Sequence, residues 1–206
     1  MDSHLNIFKT YTNVDRTHQL EKDLPRALAI TLQEDALFFH EVLKEIMHGT
    51  EQYNLLFESS ESESNVSIEI QKNASNIGNF EKIFAISLSE SEMSNFWEQT
   101  HNKNYDPICD LVIKIRDVLF VIETKRNNVD CTAQLYNQIL NIIKHNDFES
   151  PVFNKENYEK DVIPFDLNWP KLMAIAVRVA SFQKTMGKEN RFLNDFIELV
   201  KERNFQ

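Results

Sequence analysis

Residues 110–124, DLVIKIRDVLFVIET, constrain the fold more than any other stretch of this chain. Leu111, Ile113 and Ile115 alternate with Val112, Lys114 and Arg116, which is the period of a strand. Arg116-Asp117 then offers a tight turn, and VLFVIE follows as a nearly unbroken apolar run. A strand that is apolar on both faces must be covered on both faces. The second strand of this hairpin therefore belongs in the middle of a sheet, with layers above and below it.

The rest of the chain supplies those layers. Leu20, Leu24, Leu28 and Leu32 recur every fourth residue and predict a helix. Pro25 interrupts the stripe, and proline is tolerated in a first turn, so the regular helix is predicted to begin near Lys22 or Asp23. A second helix over about 35–47 sets Phe39, Leu43 and Ile46 on one face and stops at Gly49. Val66, Ile68 and Ile70 alternate as a strand, 82–88 read as another, and 52–57 is a further strand candidate. Residues 90–100 predict a short helix that buries Phe96 and Trp97. Helical spacing returns over 131–146 through Leu135, Ile139, Ile142 and Ile143. Residues 148–170, with Pro151, Pro164 and Pro170, read as a long loop, and ESSESESN at 58–65 as a solvated polar insertion. Residues 171–180 suit a buried strand or a short helix, and 190–203 form an amphipathic helix through Phe192, Phe196, Ile197 and Val200. The sum is an α/β fold over residues 1–206 as one domain, with a mixed central sheet flanked by helices.

Composition narrows the function classes. The formal net charge is −10, and all of the excess falls in residues 1–100. That argues against a broad electrostatic grip on nucleic acid, which needs clustered lysine and arginine, while leaving room for a local contact. No apolar run approaches the roughly 18 residues of a membrane span, so no membrane association is expected. MDSHLNIFKT lacks the basic flank and apolar run of a secretory signal. Cys109 and Cys131 are too few for a disulfide framework, which points to a reducing, cytoplasmic setting. The histidines and cysteines have no zinc-ligand spacing, and no glycine-rich phosphate loop exists for an NTPase or a dinucleotide-binding enzyme.

The chemistry gathers at the hairpin. Asp110 opens one strand, and Glu123-Thr124-Lys125 ends the next. Glu123 and Lys125 are two apart and share a face of an extended chain. The turn can bring Asp110 beside them. Two neighbouring carboxylates repel unless something positive joins them. A hard divalent ion suits the pair, since Mg²⁺ is commonly held by one or two carboxylates plus substrate phosphate oxygens. Lys125 would then serve the attacking water or stabilise charge on the phosphate. The bland alternative is a surface pair between Glu123 and Lys125 worth at most about 1 kcal/mol. Asp106 is an alternative to Asp110, and Arg126 and Lys114 are further phosphate contacts or solvated charges.

Asp110, Glu123 and Lys125 resemble the Asp…(Asp/Glu)-x-Lys signature of the PD-(D/E)xK nuclease superfamily. Cys109 stands where that family often has proline, with Pro107 two residues earlier. Glu21, in QLEKDLPRALAITL, resembles the glutamate of the helix that opens some restriction-type and phage-defence members, and Gln134, in CTAQLYNQI, is similar in position to a glutamine of the following helix. The resemblance covers about 20–35 and 105–140. It implies a restriction-endonuclease-like core, metal ligation by Asp110, Glu123 and Glu21, and catalytic roles for Lys125 and Gln134. It also implies Mg²⁺ or Mn²⁺ as cofactor, hydrolysis of DNA phosphodiester bonds, and a role in defence against foreign DNA. On their own terms Glu21 is a first-turn glutamate favoured by the helix dipole and Gln134 an exposed helix position. The acidic N-terminal half supports a second expectation, a nuclease-fold binding module that works through a protein partner. A homodimer would let two sites address two strands.

Overall fold

The computed structural model describes residues 7–8, 16–57, 65–78, 80–102, 104–126, 128–146 and 158–204. The polar stretch at 58–64 and residues 147–157 of the expected loop lie outside the described residues. The chain begins with helices α1 (Arg16–Glu34), α2 (Ala36–Ile46) and α3 (Glu51–Phe57). Strands β1 (Val66–Asn73), β2 (Lys82–Leu88), β3 (Ile108–Ile115) and β4 (Val118–Thr124) follow. Helix α4 (Thr132–Asn146), strand β5 (Val162–Asp166) and helices α5 (Trp169–Thr185) and α6 (Arg191–Asn204) complete the chain. Among the described residues, no helix is long and apolar enough to cross a membrane.

The elements divide into two compact units, one of Met1–Glu45 with Pro170–Gln206 and one of Ile46–Trp169. The second holds a five-stranded mixed sheet in the order β1-β3-β4-β2-β5, so the fold class is α/β as the sequence predicts. β1, β3 and β4 are antiparallel neighbours, while β4-β2 and β2-β5 are parallel. The hairpin is β3 and β4, turning at Arg116, whose φ of 55° supplies the left-handed step a tight turn requires. β4 occupies the middle of the sheet, and every one of its residues is buried. On one face Ile83, Ala85, Val112, Leu119 and Val121 pack in a core with Leu135, Ile139 and Ile142 of α4. On the other, Phe84 stacks on Phe120 with ring centroids 5.1 Å apart.

β5 corrects the expected long loop over 148–170: a strand lies within it, carrying Pro164. Ile83 N donates to Asp161 O and Leu167 N to Ser87 O, so the odd-numbered residues of β5 face β2. Pro164 therefore has its missing N–H on the outer edge, where no sheet partner needs it. Periodicity could not announce a five-residue strand interrupted by proline.

The helical unit brings further corrections. α1 starts at Arg16, so Pro25 lies inside it rather than in its first turn. Leu24, Leu28 and Leu32 are buried, and that apolar stripe outweighs the backbone bond that proline removes. Of the two readings of 171–180 the helix holds, as part of the longer α5: Leu172, Ile175, Ala176 and Val179 are buried at helical spacing, while Val177 is exposed. In α2 it is Phe38, not Phe39, that is fully buried, 6.1 Å from the ring of Phe196. Asp35 caps the start of α2 by accepting from Phe38 N at 2.9 Å, and it also receives the Gln183 amide. In the sheet unit, 52–57 is helix α3 rather than a strand, and the helix expected over 90–100 is a single 3-10 turn, Phe96–Glu98. Short apolar runs do not separate strand from helix.

Truncating the core should cost what its packing implies. Ile139→Ala, at a fully buried position of α4, is expected to lower unfolding free energy by about 2–5 kcal/mol. Val177→Ala, at 41% exposure, should stay within about 0.5 kcal/mol of the parent. Urea denaturation followed by circular dichroism measures both.

Candidate active site

The β3-β4 register pairs Leu111 with Ile122. One residue further, Asp110 stands across from Glu123, and antiparallel partners project from the same face. That face is the one α4 covers. The parallel register sets Ser87 of β2 beside Glu123 and Asp166 of β5 beside Ser87. On the other flank Gln71 of β1 falls between the pairs Ile70–Leu111 and Lys72–Cys109, opposite Asp110. Gln71, Asp110, Glu123, Ser87 and Asp166 thus form a polar row across all five strands, next to an apolar centre of Val112, Val121 and Ala85.

Asp110 is held from two sides. Its Oδ2 accepts from Thr124 N at 2.9 Å and from Thr124 Oγ1 at 2.6 Å, and its Oδ1 accepts from Gln71 Nε2 at 3.2 Å. Gln71 reaches it from a left-handed backbone, φ 52°, inside a strand. A non-glycine residue held there costs roughly 1–3 kcal/mol and persists when its surroundings demand it. Burial raises the Asp110 carboxyl above its ordinary value, against the pull of the Thr124 bonds, Lys125 and Gln71.

Glu123 is fully buried, with 0% exposure. Its Oε2 accepts from Gln138 Nε2 at 2.9 Å. Its Oε1 faces Lys125 Nζ at 3.2 Å, an ion pair that falls short of a directed hydrogen bond. Burial pushes the Glu123 carboxyl up to about 8, and the Asp110 charge adds to the rise; Lys125 and Gln138 pull it back. Lys125 is 28% exposed, so its cation links a fully enclosed carboxylate to solvent. Its backbone is pinned on both sides: its N–H donates to Leu88 O at 3.1 Å, and its carbonyl accepts from Trp169 Nε1 at 2.9 Å.

The structure brings Asp110, Glu123 and Lys125 together. The amide at Glu123 belongs to Gln138, whereas Gln134 is half-buried one turn earlier on α4. Gln138 Nε2 also reaches Ile108 O at 3.0 Å, tying α4 to the start of β3. Glu21 falls in α1 of the other unit, and its side chain lies outside the described residues. Asp106 closes a local turn by accepting from Ile108 N, and Lys114 donates to Gly78 O. Gln71, Gln138 and Asp166 are site residues that sequence reading missed. Gln138 carried a usable signal, since it lies on the α4 face of Leu135, Ile139 and Ile142, where a polar residue needs a buried partner.

Whether these groups suit a divalent cation is a question of donor chemistry. Two carboxylates from adjacent strands face one another in a water-poor layer; burial raises both, and the Asp110 charge raises Glu123 further. Gln138 Oε1 is buried without a hydrogen-bond partner beside them. Hard oxygen donors that repel until a cation joins them fit Mg²⁺ or Mn²⁺, which needs one or two carboxylates from the protein. Among the described residues, no group of three or more histidine, cysteine, aspartate or glutamate side chains is disposed to hold a metal. The thiols are poor nucleophiles: burial raises Cys131 to about 11, and raises Cys109 as well. No family model, curated protein or solved structure matches this chain.

The raised carboxyl has a consequence for stability. A glutamate near 4.5 when unfolded and about 8 when folded binds a proton more tightly in the fold. Its contribution is therefore intact below the unfolded value and is lost as pH rises through the folded one, and Asp110 moves the same way. In metal-free buffer the parent should lose stability relative to Glu123→Gln between about pH 5 and 8. Denaturant midpoints of the two proteins across that range check it, and parallel profiles would refute it.

Proposed function

We propose that this chain is a metal-dependent phosphodiesterase that hydrolyses DNA, built on a restriction-endonuclease-like core. The reading is carried by one observation: Asp110 and Glu123 stand together with Lys125 where the buried apolar strand β4 ends. Two like charges enclosed together destabilise a fold. Their use lies in the cation and phosphate they can accept.

Asp110 and Glu123 would hold Mg²⁺ or Mn²⁺, which when bound lowers the pKa of water and offsets charge on a phosphoryl oxygen. Thr124 and Gln71 fix the Asp110 carboxyl so that an oxygen lone pair stays directed. Gln138 does the same for Glu123 and binds its charged form, which favours ionisation. Lys125 is poised to orient a nucleophilic water and to balance the charge that develops on the phosphate. Its backbone is held on both sides, its ammonium pairs with Glu123, and the side chain keeps partial access to solvent. Defence against foreign DNA is a further part of the proposal and rests on the sequence resemblance alone. The competing reading, a nuclease-fold binding module, is favoured by the acidic excess of residues 1–100, which suits a protein partner better than DNA.

Incubation with supercoiled plasmid and Mg²⁺ or Mn²⁺ should produce nicked or linear DNA. Lys125→Ala should reduce the rate by at least about 100-fold, the scale of a lost electrostatic stabiliser. Calorimetry with Mn²⁺ should give binding to the parent that Asp110→Asn abolishes. Cleavage that survives Lys125→Ala, or a parent that binds no Mn²⁺, would overturn the enzymatic reading.

A further inference from the structure

A cavity of about 210 Å³ opens on the same unit, lined by His101, Tyr105, Leu140, Asn141 and Lys144. Three of these residues lie on α4, on the turns that follow Gln138. At 1.5 Å of rise per residue, Asn141 and Lys144 stand about 4.5 and 9 Å further along the axis than Gln138. The other two lie on the segment that runs into β3. That segment is gripped by two consecutive side chains of α4. Asn137, 1% exposed, accepts from Asn102 N at 2.8 Å and pairs with His101 Nδ1 at 3.0 Å. Gln138 holds the other end at Ile108 O while it holds Glu123. The cavity and the carboxylate pair are thus framed by one helix and one segment.

The chemistry of the lining is specific. Asn137 Nδ2 donates to Ala133 O at 2.7 Å, which fixes the amide and makes its Oδ1 the acceptor. His101 Nδ1 must then carry the proton, and Nε2 is the ring nitrogen left for a ligand. Tyr105 and Asn141 both line the cavity, so an aromatic ring and an amide face the same space. Lys144 adds a cation, and Leu140 an apolar floor. The volume is below the range of about 300–1,000 Å³ typical of pockets for drug-sized ligands. It suits one nucleotide unit: a phosphate against a lysine, and a base or sugar against an aromatic ring.

We propose that this cavity is a second contact point for the nucleic-acid strand, taking a backbone phosphate at Lys144 and an unstacked nucleoside against Tyr105. The inference rests on the hydrolase reading and names how its substrate is held. Lys144 stands only about 9 Å beyond Gln138 along the helix axis, so one strand could touch both ends of this segment. A local contact of this kind also answers the charge problem. A chain with net charge −10 can hold a strand through a few built positions without a basic surface.

The test uses the full chain with a fluorescein-labelled oligothymidylate, and Ca²⁺ in place of Mg²⁺, read by anisotropy across a salt series. Lys144→Ala should weaken binding about tenfold and lower the slope of log K against log salt by about 0.7, the signature of one lost phosphate contact on a single strand. Tyr105→Ala should weaken binding with the slope unchanged, and Tyr105→Phe should restore it. Unchanged affinity and slope in folded Lys144→Ala, while the parent still cuts plasmid and Lys125→Ala does not, would overturn the cavity and leave the hydrolase reading standing. Lower stability of Lys144→Ala with unchanged affinity would assign the lysine to the helix terminus alone and overturn the inference too. Thymidine monophosphate binding that depends on Lys144, with no such dependence for the oligonucleotide, would also overturn the strand contact. A parent that neither cuts nor binds would sink both proposals.

Discussion

A carboxylate enclosed at the end of an apolar strand is the constraint around which the sheet unit is arranged. Glu123 has no exposure, so its carboxyl oxygens must be met by protein groups. Lys125 meets it from the same strand face, Gln138 from α4, and Asp110 stands across from it. Each of these commitments fixes something larger. Gln138 cannot reach both Glu123 and Ile108 O unless α4 lies over β3 and β4. Lys125 keeps its position because Leu88 and Trp169 hold its backbone from either side. A group that costs free energy to bury is what defines how helix and sheet register.

The polar row shows how a layered fold makes room for chemistry. Below it, the α4 face of the sheet is aliphatic: Val112, Val121, Leu119, Ala85 and Ile83. One register step further, the same strands present Asp110, Glu123 and Ser87, and β5 adds Asp166. The change falls where β2, β4 and β5 reach their C-terminal ends, the region in which parallel sheets leave a crevice. Neighbouring loops complete the enclosure. Ser87 Oγ lies 3.0 Å from Cys131 Sγ, so the turn before α4 closes over this end of the sheet.

Much of this was legible in the residues. The hairpin, the central position of β4 and the amphipathic face of α4 follow from alternation and helical spacing, because each buries a long, regular apolar surface. The proximity of Asp110 to Glu123 followed from a tight turn at Arg116-Asp117, since a two-residue turn fixes the register of everything beyond it. What sequence reading missed depends on contacts between distant segments. Gln71 becomes a site residue through a left-handed backbone that no periodicity reports. Asp166 does so through a short strand carrying a proline, and Gln138 displaces attention from Gln134 only once the helix has a neighbour to face. α1 begins earlier than proline suggested because packing of leucines outweighs a local preference.

Pro164 carries a consequence for how copies of this protein can meet. With its nitrogen turned outward, the margin of the sheet at β5 lacks a donor in the middle of its length, and an incoming chain would find the ladder broken there. Growth by strand addition is thereby confined to the opposite margin, β1, where Val66 and Ile70 are open to solvent but Glu69 and Lys72 break up the apolar surface. A sheet with one blocked border and one charged border resists polymerising into fibrils, even though its interior strands are among the most β-prone stretches of the chain.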